Sequence, residues 1–405
     1  MMRLKLAVRS LLRNRRRSIL NFVMVAGGFS AIVLFEGFAW HLLSQVRKGA
    51  INSQYGHLQI AKEKFWSPLA AETSKERSLD PQAIFDKLRS DPRVDYASGR
   101  ISFFGLLSSG DQTISAQFIG FDPAVEQRML NNLWIIEGKN LSAEDKSAFY
   151  AIGGRGLIKK LGGKVGDDFT ILGHTYDGAV NAMDFQLKGI FQSAIAEVDN
   201  ATIFIPLSMA QRLLDTELVE RVVILLKDST TPDEIAFEAK NWLGQDLTPR
   251  TWYQLADLFR QVEEFFGLQN LIIEVIILLL VLLSISNTVG MSIHERTGEI
   301  GTMRALGEKS SDIIKLFSLE SLIIGIGGSL LGALFALLVA FLLNSLEYSV
   351  VLPGASIPIR LRIEFVSSSF FYATVGTTVT ALLATYFPAR KITKLEIVEA
   401  LRHNI

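Results

Sequence analysis

The sequence predicts a membrane protein with four transmembrane helices and a large α+β extracytoplasmic domain inserted between helices 1 and 2. Three observations lead there. Four apolar stretches are each long enough to cross ~30 Å of hydrocarbon at about 1.5 Å per residue. The residues between the first two stretches read as an ordinary mixed globular sequence. Basic residues gather at the two ends of the chain and are sparse in the short loop between the third and fourth stretches. Composition decides less, since 49% apolar and 20% charged residues in a chain of 405 also suits many soluble proteins.

The first span covers residues 19–40. A cleaved leader is its rival, but the apolar run exceeds the ~7–15 residues of such leaders and no small-x-small cleavage site follows. The other spans cover residues 268–293, 316–343 and 370–387, and the third is the longest. Residues 1–18 carry Arg3, Lys5, Arg9, Arg13, Arg15, Arg16 and Arg17 and no acid. The tail, 388–405, adds Arg390, Lys391, Lys394 and Arg402, whereas the loop 344–369 offers Arg360 and Arg362. Short-loop charge bias places both termini in the cytoplasm. Residues 41–267 and 344–369 are then outside, and 294–315 inside. Leu4, Val8, Leu11 and Leu12 share a helical face among the N-terminal bases, which suits a helix lying on an anionic membrane surface. A basic stop signal with no further role is an equal reading.

The inserted region, 41–267, is large enough to bury its own core, and two subdomains are expected with a switch near 130–150. Residues 100–120 read as two strands around Ser108-Ser109-Gly110-Asp111; Ile114, Ala116 and Phe118 alternate with Thr113, Ser115 and Gln117. Further strands are expected at 57–61, 149–153, 169–172, 185–191 and 221–227. Short helices are expected after Asp80-Pro81, at 156–161, and from Thr231-Pro232-Asp233-Glu234, where a capping box can form.

Equal numbers of acids and bases, 41 of each, suggest no nucleic-acid partner. The absence of cysteine excludes disulfides, Cys-ligated zinc, thiol nucleophiles and Fe–S clusters. His41, His57, His174, His294 and His403 lack metal-ligand spacing. Gly162-Gly163-Lys164-Val165 lacks the upstream glycine and following Ser/Thr of a phosphate-cradling loop, and Gly153-Gly154-Arg155-Gly156 reads as a tight strand-to-helix turn. No catalytic set, cofactor site or metal site emerges, so ATP hydrolysis by these residues is not expected.

Two patterns remain. Residues 294–315 carry Glu295, Glu299, Glu308 and Asp312 against Arg296, Arg304, Lys309 and Lys315, several at helical spacings. Ile300, Met303 and Leu306 give a small apolar face. A short helix tied to two spans without a linker is a lever for a cytoplasmic partner; a hairpin turn with solvated charges is the alternative. On the lever reading, Glu299 and Arg304 are solvent-facing pairs for the partner, and Ile300 and Leu306 are its anchors. In the spans, Glu36 and Glu274 stand at comparable depths near the outer ends and are candidates to line a substrate path, although both can reach water. Asn287 is expected as helix–helix glue, and Gly328 with Gly332 as a small-residue packing face.

The segment Glu295-Arg296, Glu299-Ile300-Gly301, Arg304-Ala305 and Gly307 resembles the E-R-x-x-E-I-G-x-x-R-A-x-G signature of the MacB/LolC/LolE/FtsX permeases. Pro388-Ala389-Arg390 and residues 395–402 are similar to that family's ending, with Ile397 where the family usually has proline. The stretch 161–214, with Val165-Gly166-Asp167 and Ile205-Pro206-Leu207, resembles its periplasmic core domain. Arg9-Ser10-Leu11-Leu12-Arg13-Asn14 and Gly56-His57-Leu58-Gln59-Ile60 resemble permeases labelled as lipoprotein-release-like. The resemblance implies the permease subunit of a MacB-like ABC transporter in the inner membrane of a bacterium. Its implied partners are a pair of cytoplasmic ATPase subunits, a second permease copy or paralogue, membrane lipid, and a periplasmic adaptor or lipoprotein carrier. It implies mechanotransmission, in which hydrolysis moves the outer domains to extract or export a lipoprotein or other hydrophobic envelope cargo. Residues Glu295, Arg296, Glu299, Ile300, Arg304, Leu306 and Gly307 would carry the ATPase coupling. The alternative it leaves is an FtsX-like regulator of an envelope hydrolase, or a signalling lever without cargo; FtsX-like relatives have a smaller outer domain.

Overall fold

A computed structural model describes residues 2–66, 75–193, 196–227, 232–351 and 358–392. Its internal contacts divide the chain into a helical unit, built from residues 1–43, 262–348 and 360–405, and an inserted unit, built from residues 44–261 and 349–359.

The helical unit contains α1 (Met2–Arg13), α2 (Arg15–Gly49), α3 (Asp257–Glu295), α4 (Thr297–Ala305), α5 (Ser310–Ser345) and α6 (Ser367–Ile392); the last turns of α2 and the first of α3 belong to the inserted unit. Helices α2, α3, α5 and α6 are each long and apolar enough to cross a membrane. Without a hydrophobic drive between helices in lipid, association relies on close backbone approach and on polar contacts. Both occur here. A Cβ on Gly328 would lie 2.7 Å from the Val25 side chain, and one on Gly332 2.7 Å from the Ala26 carbonyl oxygen. The Ser30 hydroxyl donates to the Gly332 carbonyl at 2.8 Å, Ser329 and Thr377 share a hydrogen bond of 2.9 Å, and Ser321 bonds Thr385. Around these contacts Val25, Val281, Ile285, Ile300, Phe317 and Ile324 form a buried cluster. Helix α3 is the least enclosed, its most apolar window being only 11% buried. At the far end of the unit His41 bridges the Glu364 carboxylate at 2.8 Å and the Arg360 carbonyl at 3.1 Å, and Asn344 brackets the Ile363 backbone.

The inserted unit is built on one ten-stranded sheet. Its strands are β1 (Leu58–Lys62), β2 (Val94–Ser108), β3 (Thr113–Phe121), β4 (Trp134–Gly138), β5 (Tyr150–Gly154), β6 (Asp168–His174), β7 (Val180–Gln192), β8 (Thr202–Pro206), β9 (Arg221–Leu226) and β10 (Leu247–Thr251). The order is β10-β1-β9-β2-β3-β8-β5-β7-β4, with β6 bridging β2 and β7. The β2–β3 hairpin pairs Ile101 with Gly120 through Ser108 with Thr113, and Gly110 takes the turn at φ 91°. Parallel pairs β3–β8 and β5–β7 need crossovers, and the helix Arg155–Leu161 lies in both, whereas Leu207–Leu214 follows β8. The sheet is continuous through 130–150, but it carries two separate apolar clusters. The larger includes Ile60, Ile101, Phe118, Ile171, Leu187 and Val222, and the smaller Phe121, Met129, Leu130, Phe191 and Phe204.

The strands expected from alternation lie where β1, β2, β3, β5, β6, β7 and β9 are found, and the helix after Pro81 spans Gln82–Leu88. Strands β4, β8 and β10 were not expected. Thr231, the proposed cap, and the ending 395–402 lie outside the described residues; Pro232–Lys240 is helical.

Candidate functional site

The short helix α4 follows α3 after the single residue Arg296. The turn is closed locally: the Thr297 hydroxyl donates to the His294 carbonyl at 2.8 Å, which ties the start of α4 to the end of α3. At the other end Gly307 adopts φ 96°, and the Glu308 amide donates to the Met303 carbonyl at 3.1 Å. A left-handed glycine just past the last turn stops the helix and satisfies its free carbonyls. Thr297, Gly298, Ile300 and Gly301 face inward; Leu306 is 82% exposed, at a tip that continues through Gly307, Glu308 and Lys309.

Four alternating charges lock α4 in place. The Arg13 guanidinium at the end of α1 grips both Glu299 carboxylate oxygens at 2.8 Å. Arg296 lies 3.4 Å from Glu299 and 3.5 Å from the carboxylate of Glu320 on α5. The series Arg13, Glu299, Arg296, Glu320 therefore ties α1, α4 and α5 together. A parallel clasp joins Arg17 of α2 to Glu295 at the end of α3, with Nη1 to Oε2 at 2.6 Å. The hydrogen bond from Arg13 holds the Glu299 carboxyl below its ordinary range and raises the Arg13 guanidinium. The outer half of this network is solvated, with the Arg13 and Glu299 side chains 56% and 47% exposed, so each pair contributes only about 0.2–1 kcal/mol. The inner half is enclosed: the Arg296 and Glu320 side chains are 13% and 11% exposed.

Beside Glu320 lies a cavity of about 40 Å³ lined by Ser10, Asn14, Asn21, Ser292, Ser321 and Thr385 among others. The Asn21 Oδ1 and Glu320 Oε1 atoms are buried there without a hydrogen-bond partner among the described residues. A space of that size has room for a water, which would supply both missing donors.

The sequence-based candidates fall in different places. Glu295 and Glu299 are engaged within the chain by arginines, and Arg304 is half-buried and also engaged. Ile300 is 5% exposed in the helical cluster, so its side chain is a core group and not a surface anchor. Leu306 alone of the expected apolar pair faces out. Glu36 and Glu274 are half-buried and form no hydrogen bond or ion pair among the described residues; Glu274 lies beside Gly376 of α6. Asn287 is exposed on α3. Sequence reasoning missed Arg13 as the partner of Glu299 on α4, Arg17 as the partner of Glu295 on α3, and the enclosed Glu320 on α5. The signals were present: an acid inside a span, and a basic run facing a loop rich in acids.

A helical unit with this short charged turn, following an inserted sheet domain, is matched over most of its length by known proteins. Residues 18–242 match the MacB-like periplasmic core domain and residues 271–397 the FtsX-like permease C-terminal domain. The chain belongs to the MacB-like family of ABC transporter permeases. Among similar proteins, the macrolide export ATP-binding/permease protein MacB 2 of Aeromonas hydrophila is 22% identical over 98% of this chain and 60% of its own length. An uncharacterized ABC transporter permease of Methanocaldococcus jannaschii is 27% identical over 54% of this chain and 55% of its own. The chain thus spans a little over half the length of these relatives. The periplasmic region of MacB from Actinobacillus actinomycetemcomitans aligns with 54% of this chain and 98% of its own at 11% identity and a TM-score of 0.39. With its MacB-like core-domain match and four helices long and apolar enough to cross a membrane, the permease described here is a multi-pass membrane protein whose inserted unit is extracytoplasmic.

Proposed function

We propose that this permease couples ATP hydrolysis on a cytoplasmic ATPase to movement of its extracytoplasmic domain, with α4 as the element the ATPase pushes. The observation that carries this is the unequal construction of α4. Its base is tied to α1 and, through Arg296, to α5 by ion pairs, while its tip at Leu306–Lys309 projects unpacked. A rigid base with a free tip passes a push into the helices without absorbing it in a flexible loop. The basic run of residues 1–18 supports a cytoplasmic placement of this end, with both termini inside. The ATPase acts as a pair on two permease copies or paralogues, and the cargo is a hydrophobic envelope molecule. Two relatives are named for macrolide and pyoverdine export, which supports export of small amphipathic compounds as much as lipoprotein release.

The test is co-expression of the permease with its cognate ATPase and measurement of co-purification. Leu306→Asp is expected to reduce the ATPase recovered at least tenfold while leaving insertion and thermal unfolding of the permease unchanged, because a side chain 82% exposed contributes little to folding. Full recovery of the ATPase by that variant would remove the tip of α4 as the docking point.

A further inference from the structure

The inserted unit contains a cavity of about 330 Å³ that the coupling role does not use. One wall is aromatic, formed by Phe65, Trp66 and Phe103, with Phe104 at 69% exposure on the rim. Phe65 and Trp66 pack edge to face at 4.8 Å. Arginines cover these rings, with Arg77 and Arg221 at 5.1 and 5.4 Å from the Phe65 centroid and Arg250 at 4.9 Å from Trp66. The lining also includes Glu220, which is 1% exposed. Its Oε2 accepts the Ser102 backbone amide at 2.8 Å, whereas its Oε1 has no partner among the described residues. The Trp66 indole N–H is likewise buried without an acceptor among them.

These features are costly unless something fills them. A buried polar atom left unsatisfied costs about 1–3 kcal/mol, and here two residues that line one cavity each hold such an atom, an acceptor and a donor without a partner among the described residues. Burial pushes the Glu220 carboxyl up and the Arg221 guanidinium down to about 10, as expected for charges held away from water. Among the described residues that line the cavity Glu220 is the one acid, against Arg77 and Arg221, so these residues carry an excess of positive charge. An aromatic slot of this volume with few convergent polar groups has the form of a small-molecule site.

We propose that this cavity binds a small amphipathic anion: a flat apolar body lying against Phe65 and Trp66, an anionic oxygen accepting from the Trp66 N–H beside the arginines, and a hydroxyl or amine donating to Glu220 Oε1. The proposal goes beyond the coupling role and does not depend on it. Gln54 and Tyr55, which also line the cavity, lie in the π-helical segment Ala50–Tyr55 that directly continues α2. A ligand seated here touches the end of a membrane helix and the sheet together.

The test uses the full-length permease in lipid nanodiscs and calorimetric titration with three probes: 6-hydroxy-2-naphthoate, 2-naphthoate and 2-naphthylmethylammonium. The first should bind saturably, the second at least fivefold more weakly for want of the hydroxyl, and the third not measurably. Trp66→Phe, which removes only the N–H donor and some ring area, should weaken 6-hydroxy-2-naphthoate about five- to tenfold. Glu220→Gln keeps an acceptor for the Ser102 amide and should erase the preference for the hydroxylated probe. Should Glu220→Gln fail to fold, the Trp66→Phe titration and the ranking of the three probes still decide. Absence of saturable binding, equal binding of all three probes, or unchanged affinity in Trp66→Phe would overturn the proposal.

Discussion

The two units of this molecule each carry an arginine–glutamate pair of good geometry, one buried and one solvated. In the inserted unit Arg100 on β2 grips Glu126 with Nε at 3.0–3.1 Å, and both side chains are essentially buried, at 2% and 0% exposure. The same guanidinium donates through Nη1 to the Gln54 carbonyl at 2.7 Å, pinning the π-helical end of α2 to the sheet. In the helical unit Arg13 grips Glu299 with equally good geometry, but in water. Desolvation makes the difference. A buried pair gains little net stability by existing, yet it is expensive to break because the survivor is left charged in a dry core. A solvated pair costs little to break and can be remade in another register. The first suits a joint that must not slip, and the second a contact that can be broken at little cost.

Breaking the buried joint should give the largest effect. Arg100→Leu strands Glu126 and frees the Gln54 carbonyl, and is expected to destabilise the inserted unit by about 3–5 kcal/mol. Thermal unfolding of the full chain, followed by tryptophan fluorescence, reads this directly; a loss below 1 kcal/mol would mean that the pair does not act as a fixed joint. Next comes the apolar seat of α4. Ile300→Ala should cost about 2–5 kcal/mol in the helical unit through the lost packing around it. A denaturation midpoint equal to that of the parent would place Ile300 outside the core after all.

The solvated clasp should give the smallest effect. A double-mutant cycle on Arg13→Ala and Glu299→Ala is expected to yield about 0.2–1 kcal/mol. Its pH dependence has a definite sign. The folded Glu299 carboxyl lies below its unfolded value of about 4.3, so the contribution is complete above that pH and is lost as pH falls through the lower folded value. A coupling energy that grew on acidification would contradict the assignment.

The sequence disclosed those features whose signal is local. The four spans are continuous apolar runs, and the second strand of the β2–β3 hairpin alternates Ile114, Ala116 and Phe118 with polar residues after a glycine turn. Strand β8, Thr202–Pro206, was missed because all five residues are buried and no alternation marks it. Strand β10 reads Leu-Thr-Pro-Arg-Thr, whose proline argues against a strand, but it lies at the edge of the sheet beside β1 only. Residues Glu295 and Glu299 stood out by their spacing on α4, but their partners lie 278 and 286 positions away, and no helical periodicity reaches that far. Reading Ile300 and Leu306 as one face failed because six residues put them about 240° apart around a helix, and Leu306 lies just past the last residue of α4.

On the proposed coupling role of α4, the clasp between Arg13 and Glu299 holds that helix in its working position. It is tested most directly by ATP turnover of the permease–ATPase complex in liposomes across a charge swap. Arg13→Glu and Glu299→Arg, made singly, each place like charges in contact and should lower coupled turnover severalfold; the double variant restores an opposite-charge pair and should recover most of it. Full turnover in both single variants, or no recovery in the double, would show that α4 does its work without the clasp.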